Sequence, residues 1–247
     1  YHCSVRSKYL PAASYKFVHQ VNGKGVFSFC MCPGGHIVPS ATEQGEVVVN
    51  GMSASTRSSR YANSGMVVAI EQEDLIKYNK YGELAGLVFQ QEMEKMAWEA
   101  GGKTQAAPAQ RMVDFTNGKF SNTLNDCSYI PGINSAPLHE LLPSMISNRL
   151  QEGFMIFGRK MKGYFTNEAN ILGVESRTSS PVRIPRDELL LSHPQIKNLY
   201  PCGEGAGYAG GIVSAAIDGE RCAEAIHKSC LLYTSPSPRD LSTSRMP

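Results

Sequence analysis

The sequence predicts a mixed α/β protein, and three features carry that expectation. The run from Asn198 to His227, NLYPCGEGAGYAGGIVSAAIDGERCAEAIH, reads as strand, glycine loop and helix. Short apolar and alternating stretches between residues 15 and 70 read as the strands of a β-rich region. Two further segments, 87–100 and 144–157, place apolar residues at helical spacing.

At 247 residues the chain is long enough for one good core or two modest ones. A hydrophobic content of 42% with 19% charged residues is that of an ordinary globular protein. The net charge of +2, with no run of Lys or Arg, argues against a dedicated nucleic-acid surface. No apolar stretch approaches the ~20 residues that a bilayer span requires. Seven cysteines, odd in number and scattered, do not suggest a secreted disulfide framework, so a reducing setting is expected, cytoplasmic or, in a eukaryote, organellar. The opening YHCSVRSKYLP lacks an initiator Met and the layout of a signal peptide, and reads as the interior of a longer chain.

In chain order, Tyr15, Phe17 and Val18 alternate and predict a first strand. Val26, Phe27 and Phe29 predict a second, broken at Pro33-Gly34-Gly35, with Ile37 and Val38 resuming extended structure as a hairpin partner. Cys30 and Cys32 admit three readings. They lack a second Cys or His pair at zinc-finger spacing; as a redox dithiol they have CxC rather than CxxC spacing; small, half-buried structural cysteines remain the default. Glu46–Asn50 predicts a strand ended by Gly51-Met52-Ser53, and Ser53–Ser64 a polar loop. In that loop Arg57 and Arg60 are either an anion clamp or solvated charges. Met66–Ile70 reads as another buried strand.

The helix over 87–100 closes at Gly101-Gly102. In APAQRMVDF, Gln110, Arg111 and Asp114 are candidates to close a pocket, with an Arg111–Asp114 salt bridge as the structural alternative. A polar loop follows, then a short helix near Leu138–Leu142 with His139 on its surface, then the second amphipathic helix. Residues 169–175 predict a strand. Arg177 and Arg183 flank a run of hydroxyl side chains able to hold an anion. After Cys230 periodicity stops, and 231–247, rich in Ser, Pro and Arg, is expected to be disordered.

The glycine loop is the main candidate site. Leu199 and Tyr200 end the expected strand. Gly203, Gly205 and Gly207, with Ala206 between them, lead to Gly210 and Gly211, which remove side chains that would keep a ligand off the backbone. The helix then begins near Ile212 and Val213, and its first N–H groups lack intrahelical partners and favour an electron-rich group. Glu204 would be repelled by a phosphate, and is assigned to sugar hydroxyls. The alternative is a helix packed closely through small residues, in a non-catalytic nucleotide-binding or interaction module.

These residues resemble the C-terminal, FAD-contacting segment of flavin-dependent oxidoreductases with two dinucleotide-binding domains. FCMCPGG, VVNGMS, Ala62-Asn63-Ser64, APAQR with Asp114-Phe115, and the run from Glu175 through Arg177 to Ile184 are similar to an uncharacterised group of FAD-dependent dehydrogenases. The resemblance implies a partial FAD/NAD(P)-binding, Rossmann-like domain over 166–230, into which a mixed α/β domain over 1–165 is inserted, with 231–247 an artefactual tail similar to translated adapter sequence. It further implies FAD contacts from Gly203 to Val213. On the substrate side it places Cys30, Cys32, Gly34, Gly35, Arg177 and Ser179, facing a small organic molecule, with NAD(P)H a possible electron partner. The G-x-G-x-x-G turn of such a fold is absent from this sequence, so the missing N-terminal half of the same polypeptide is an expected partner.

Overall fold

The computed structural model describes residues 17–233, apart from the side chains of Cys30 and of residues 231–233. Tyr15 and residues 234–247, the larger part of the expected tail, lie outside the described residues. The chain divides into two compact units after Ser176.

In the first unit β1 (Phe17–Val21) and β2 (Lys24–Pro33) form an antiparallel hairpin. Asn22 and Gly23 make its turn at φ of 51° and 77°, the left-handed pair that matches the twist of the flanking strands. β5 (Ala62–Val68) pairs with the other edge of β2, giving the order β1-β2-β5. β3 (His36–Pro39) pairs instead with β4 (Val49–Met52). The hairpin expected around Pro33-Gly34-Gly35 is therefore corrected: the chain turns there, but into a different sheet. The backbone of the 53–61 loop fills the bend, since a Cβ on Gly34 would stand 2.0 Å from the Arg57 carbonyl oxygen, and Gly35 N–H donates to the Tyr61 carbonyl at 3.0 Å. β4 also runs through Gly51-Met52, where the sequence suggested an end, because Gly51 pairs with Ile37.

A third sheet has the order β7-β6-β8, with β6 (Ala107–Arg111) parallel to β7 (Ile133–Ser135) and antiparallel to β8 (Asn170–Leu172). The two predicted amphipathic helices are present as α1 (Ala85–Ala100) and α4 (Ser144–Lys160), with short α2 (Met112–Thr116) and α3 (Leu138–Leu141) between them. A 3-10 segment, Gln72–Leu84, precedes α1. It is tied down where Tyr78 meets Phe89 edge-on at 5.5 Å and Asp74 pairs with Arg149 at 3.1 Å.

Three apolar clusters hold this unit. Met112, Phe115, Leu138, Leu142, Leu150 and Phe154 form the largest, between the short helices and α4. Val47, Val49, Ala97, Ala107 and Tyr129 pack α1 on the third sheet, and Phe157 covers Val21 and Val26. Gly153 brings α4 close to β2: a Cβ there would lie 2.7 Å from Val26 Cγ1.

The second unit is organised around one helix, α5 (Ile212–Tyr233). Its last three residues fall in the stretch expected to be disordered. The strand expected at Leu199–Tyr200 does not form, for no other described residue of this unit is a strand that could supply a ladder. The Leu199 carbonyl accepts from His193 N–H at 2.7 Å instead.

Candidate functional site

The glycine loop of the second unit is held by a buried ion pair. Asp218 lies on α5 and is 6% exposed. It accepts the Gly203 N–H at 2.9 Å and both terminal nitrogens of Arg186 at 2.9 and 3.0 Å. A bidentate guanidinium–carboxylate contact is among the stronger side-chain hydrogen bonds. The Arg186 contact, helped by the Gly203 amide and opposed by burial, draws the Asp218 carboxyl down to about 2. Arg186 also donates to the Pro201 carbonyl at 2.9 Å and lies 3.6 Å from the centre of the Tyr208 ring.

The segment preceding the loop clasps it from the other side. Ser180 Oγ reaches the Gly205 carbonyl at 3.1 Å, Ile184 N–H donates to the Ala206 carbonyl at 3.1 Å, and Tyr208 Oη donates to the Ile184 carbonyl at 2.8 Å. Inside the loop, Gly207 N–H donates to the Glu204 carbonyl and Tyr208 N–H to the Gly203 carbonyl, at 2.9 and 3.0 Å.

This packing sorts the glycines into two kinds. Gly203 and Gly207 have φ of 73° and 83°, and a Cβ on Gly207 would stand 2.8 Å from the Val182 carbonyl oxygen. The turn itself demands them. Gly205 and Gly210 have no left-handed φ and no atom within 4 Å of a built Cβ, and Gly211 meets only Ser214 Oγ at 3.9 Å. Among the described residues nothing requires glycine there. Beside them α5 begins: Ala215 N–H makes its bond to the Gly211 carbonyl at 2.9 Å, so the N–H groups of Ile212, Val213 and Ser214 precede the helical ladder. Ile212 and Val213 are 90% and 72% exposed, and Glu204 is exposed with no side-chain partner among the described residues.

The first unit holds the other candidate residues. Cys32 faces Asn63 across the β2–β5 register, past an irregularity between Phe29 and Cys32. Burial pushes the Cys32 thiol up, with Arg57 opposing and Glu175 adding to it. Glu175 is itself held above the usual carboxylate range by burial. Its Oε2 lies 2.8 Å from where a Cβ on Gly65 would stand. Asn63 has both carboxamide atoms buried without a hydrogen-bond partner among the described residues, pressed against Gly51. Gly34 and Gly35 are accounted for by their turn: Gly34 has φ of 61°, and a Cβ on Gly35 would meet Cys32 Cβ and the Met52 carbonyl at 2.6 Å. Arg177 and Ser179 belong to the second unit.

Two expectations are corrected here. Arg111 and Asp114 do not pair with each other: Arg111 donates to the carbonyl and hydroxyl of Thr123 at 2.8 and 2.9 Å, while Asp114 accepts from Ser121 Oγ at 2.7 Å. His139 is not a surface residue. Its side chain is 9% exposed and its Nδ1 lies 2.8 Å from the Nε2 of the fully buried Gln110, which also reaches the Lys119 carbonyl. These side chains staple the polar loop to β6 and α3. Arg60 pairs with Asp126 at 3.2 Å, both largely exposed, and is a solvated charge. Sequence reasoning passed over Arg186, Asp218 and Cys222, since Arg186 lies more than 30 positions from the other two and gives no local pattern with them.

The described residues thus make a mixed α/β protein whose second unit offers a bare glycine loop at a helix start. The chain belongs to the family described as "FAD-dependent protein, C-terminal domain-like", which matches residues 1–178. It is 42% identical over 221 residues to an uncharacterized protein of Clostridium beijerinckii (strain ATCC 51743 / NCIMB 8052), covering 88% of this chain and 41% of that relative. The chain therefore spans less than half the length of the relative it matches. The family match ends ahead of the glycine loop. Among the described residues, no helix is long and apolar enough to cross a membrane.

Proposed function

We propose that this chain is the C-terminal part of an FAD-dependent oxidoreductase that moves a hydride between a small organic substrate and FAD. The support is the family membership over 1–178 together with glycines at 205, 210 and 211 that the fold does not call for. FAD supplies the redox chemistry when bound, and the protein contributes binding, orientation and electrostatics. Gly205, Gly210 and Gly211 let the ligand approach the backbone, and the free amides at Ile212 and Val213 stabilise negative charge on it. Glu204 accepts hydrogen bonds from its sugar-like hydroxyls. Gly203, Ala206 and Gly207 shape the turn beneath.

On the substrate side Cys32 is the candidate from the first unit, with Gly34 and Gly35 setting the bend that presents it and Cys30 beside it in sequence. Arg177 and Ser179 are the candidates from the second, and NAD(P)H is a possible electron partner. The Rossmann-like fold, the inserted-domain arrangement and a cytoplasmic location are parts of the same reading. The dinucleotide turn would come from the additional length that the relative carries.

The open glycines make the test clean. A Cβ at Gly210 meets no atom of the described residues within 4 Å, so Gly210→Leu should leave stability within about 0.5 kcal/mol of the parent. In a form extended by the relative's remaining length, the same change and Glu204→Ala should each lower the visible flavin absorbance retained on purification. Full flavin retention in both variants would sink the assignment.

A further inference from the structure

We propose that Cys202 and Cys222 are a dithiol that small-molecule disulfides of the glutathione class oxidise to an intrachain disulfide. Cys202 immediately precedes the loop and is exposed, whereas Cys222 sits one turn beyond Asp218 on α5 and is 4% exposed. Their sulfurs and an Asp218 oxygen all lie within 4.8 Å of one another. The sulfurs must approach to about 2.05 Å for the bond to form.

A cation is a poor occupant for the same three side chains. Arg186 takes both Asp218 oxygens and donates to Cys222 Sγ at 3.4 Å, so a fixed positive charge already stands there. Cys222 Sγ also lies 3.9 Å from the Pro201 carbonyl. The two thiols, by contrast, need only a two-electron oxidant, which the small disulfide supplies.

The exchange balances in two steps. The Cys202 thiolate attacks one sulfur of the small disulfide, forming a mixed disulfide and releasing one thiol. Cys222, deprotonated, then attacks the Cys202 sulfur, closing the protein disulfide and releasing the second thiol. One disulfide is reduced to two thiols, and the two protein thiols are oxidised to one disulfide.

The surroundings set the rate. The groups facing Cys202 are Asp218 and Cys222 on α5, with Arg186 behind them. Although the residue as a whole is exposed, its sulfur is turned toward α5. Burial, then the Cys222 sulfur, then the Asp218 carboxylate push its thiol up to about 11. Only a small thiolate fraction exists at neutral pH, so formation is slow and speeds up about tenfold per pH unit. A thiol that gains nothing by ionising also gives a disulfide that is not readily reduced.

The test treats the whole chain with oxidised glutathione at pH 8 and maps its peptides without reduction. A linked pair of peptides carrying Cys202 and Cys222 is expected. Cys202→Ser, at an exposed position, should remove the link and leave Cys222 unmodified, and Cys222→Ser should stop at the glutathione adduct on Cys202. An adduct on Cys202 that persists in the parent chain, or a link from Cys222 to Cys230 instead, overturns the proposal.

Discussion

The two units reach order by different means. The first buries Phe115, Phe157 and Leu138 completely and closes three apolar clusters over three small sheets. The second leaves Ile212, Val213 and Ile217 more than half exposed, and its loop hangs on one ion pair and a handful of backbone contacts. Apolar packing tolerates small losses at many positions, while a polar anchor concentrates the cost in two or three residues. A loop of bare glycines cannot fill itself with side chains, so it must be fixed from beneath by directional bonds.

That contrast predicts where each unit breaks. Phe115→Ala removes a fully buried ring that meets Phe154 edge-on at 6.0 Å, and should cost the first unit about 4 kcal/mol. Hydrogen exchange would read this as lost protection in α2 and α4 with α5 unchanged. Equal loss in both units would show that they unfold as one body and erase the distinction.

The anchor should fail next most severely. Asp218→Asn leaves the Arg186 guanidinium, itself 8% exposed, without its carboxylate, and breaking such a buried pair costs roughly 3 kcal/mol. The same carboxylate gives the second unit an acid sensitivity. Its folded value of about 2 lies below the ordinary ~3.9 of Asp, so its contribution is complete above that ordinary value and disappears as pH falls toward 2. Exchange protection in α5 should drop across that window by about 2 kcal/mol. The Asn variant should lack the step.

How much of this was legible in the sequence follows the same division. Helices α1 and α4 could be read because Phe89, Met93, Met96 and Ala97, or Leu150, Phe154 and Phe157, repeat at the spacing of one helical face. β6 could not. Ala-Pro-Ala-Gln-Arg has no β-branched residue and carries a proline, so only its burial between β7 and β8 makes it a strand. The break at Pro33-Gly34-Gly35 was readable from its residues, yet the strand pairing after it was not, because the bend is filled by backbone from the 53–61 loop. At the loop, glycine number was visible in the sequence. Which glycines serve the turn and which stand open depended on Val182 and Arg183, more than 20 residues earlier.

The smallest effect concerns a half-buried carboxyl in the first unit, with the opposite sign. Asp218 has an arginine; Glu175 is shifted by burial alone, and upward. A raised carboxyl contributes stability that is present below its ordinary value and lost as pH rises through the folded value, so raising the pH toward neutral makes Glu175 a burden on the fold. Glu175→Gln keeps the shape and removes the charge. It should raise the denaturant midpoint at pH 7, change it little at pH 4, and lower the Cys32 thiol, which Glu175 helps to push up. A midpoint that falls at pH 7 would mean that the Glu175 carboxylate is bound to something that rewards its charge, and the contrast between an anchored and an unanchored carboxyl would no longer hold.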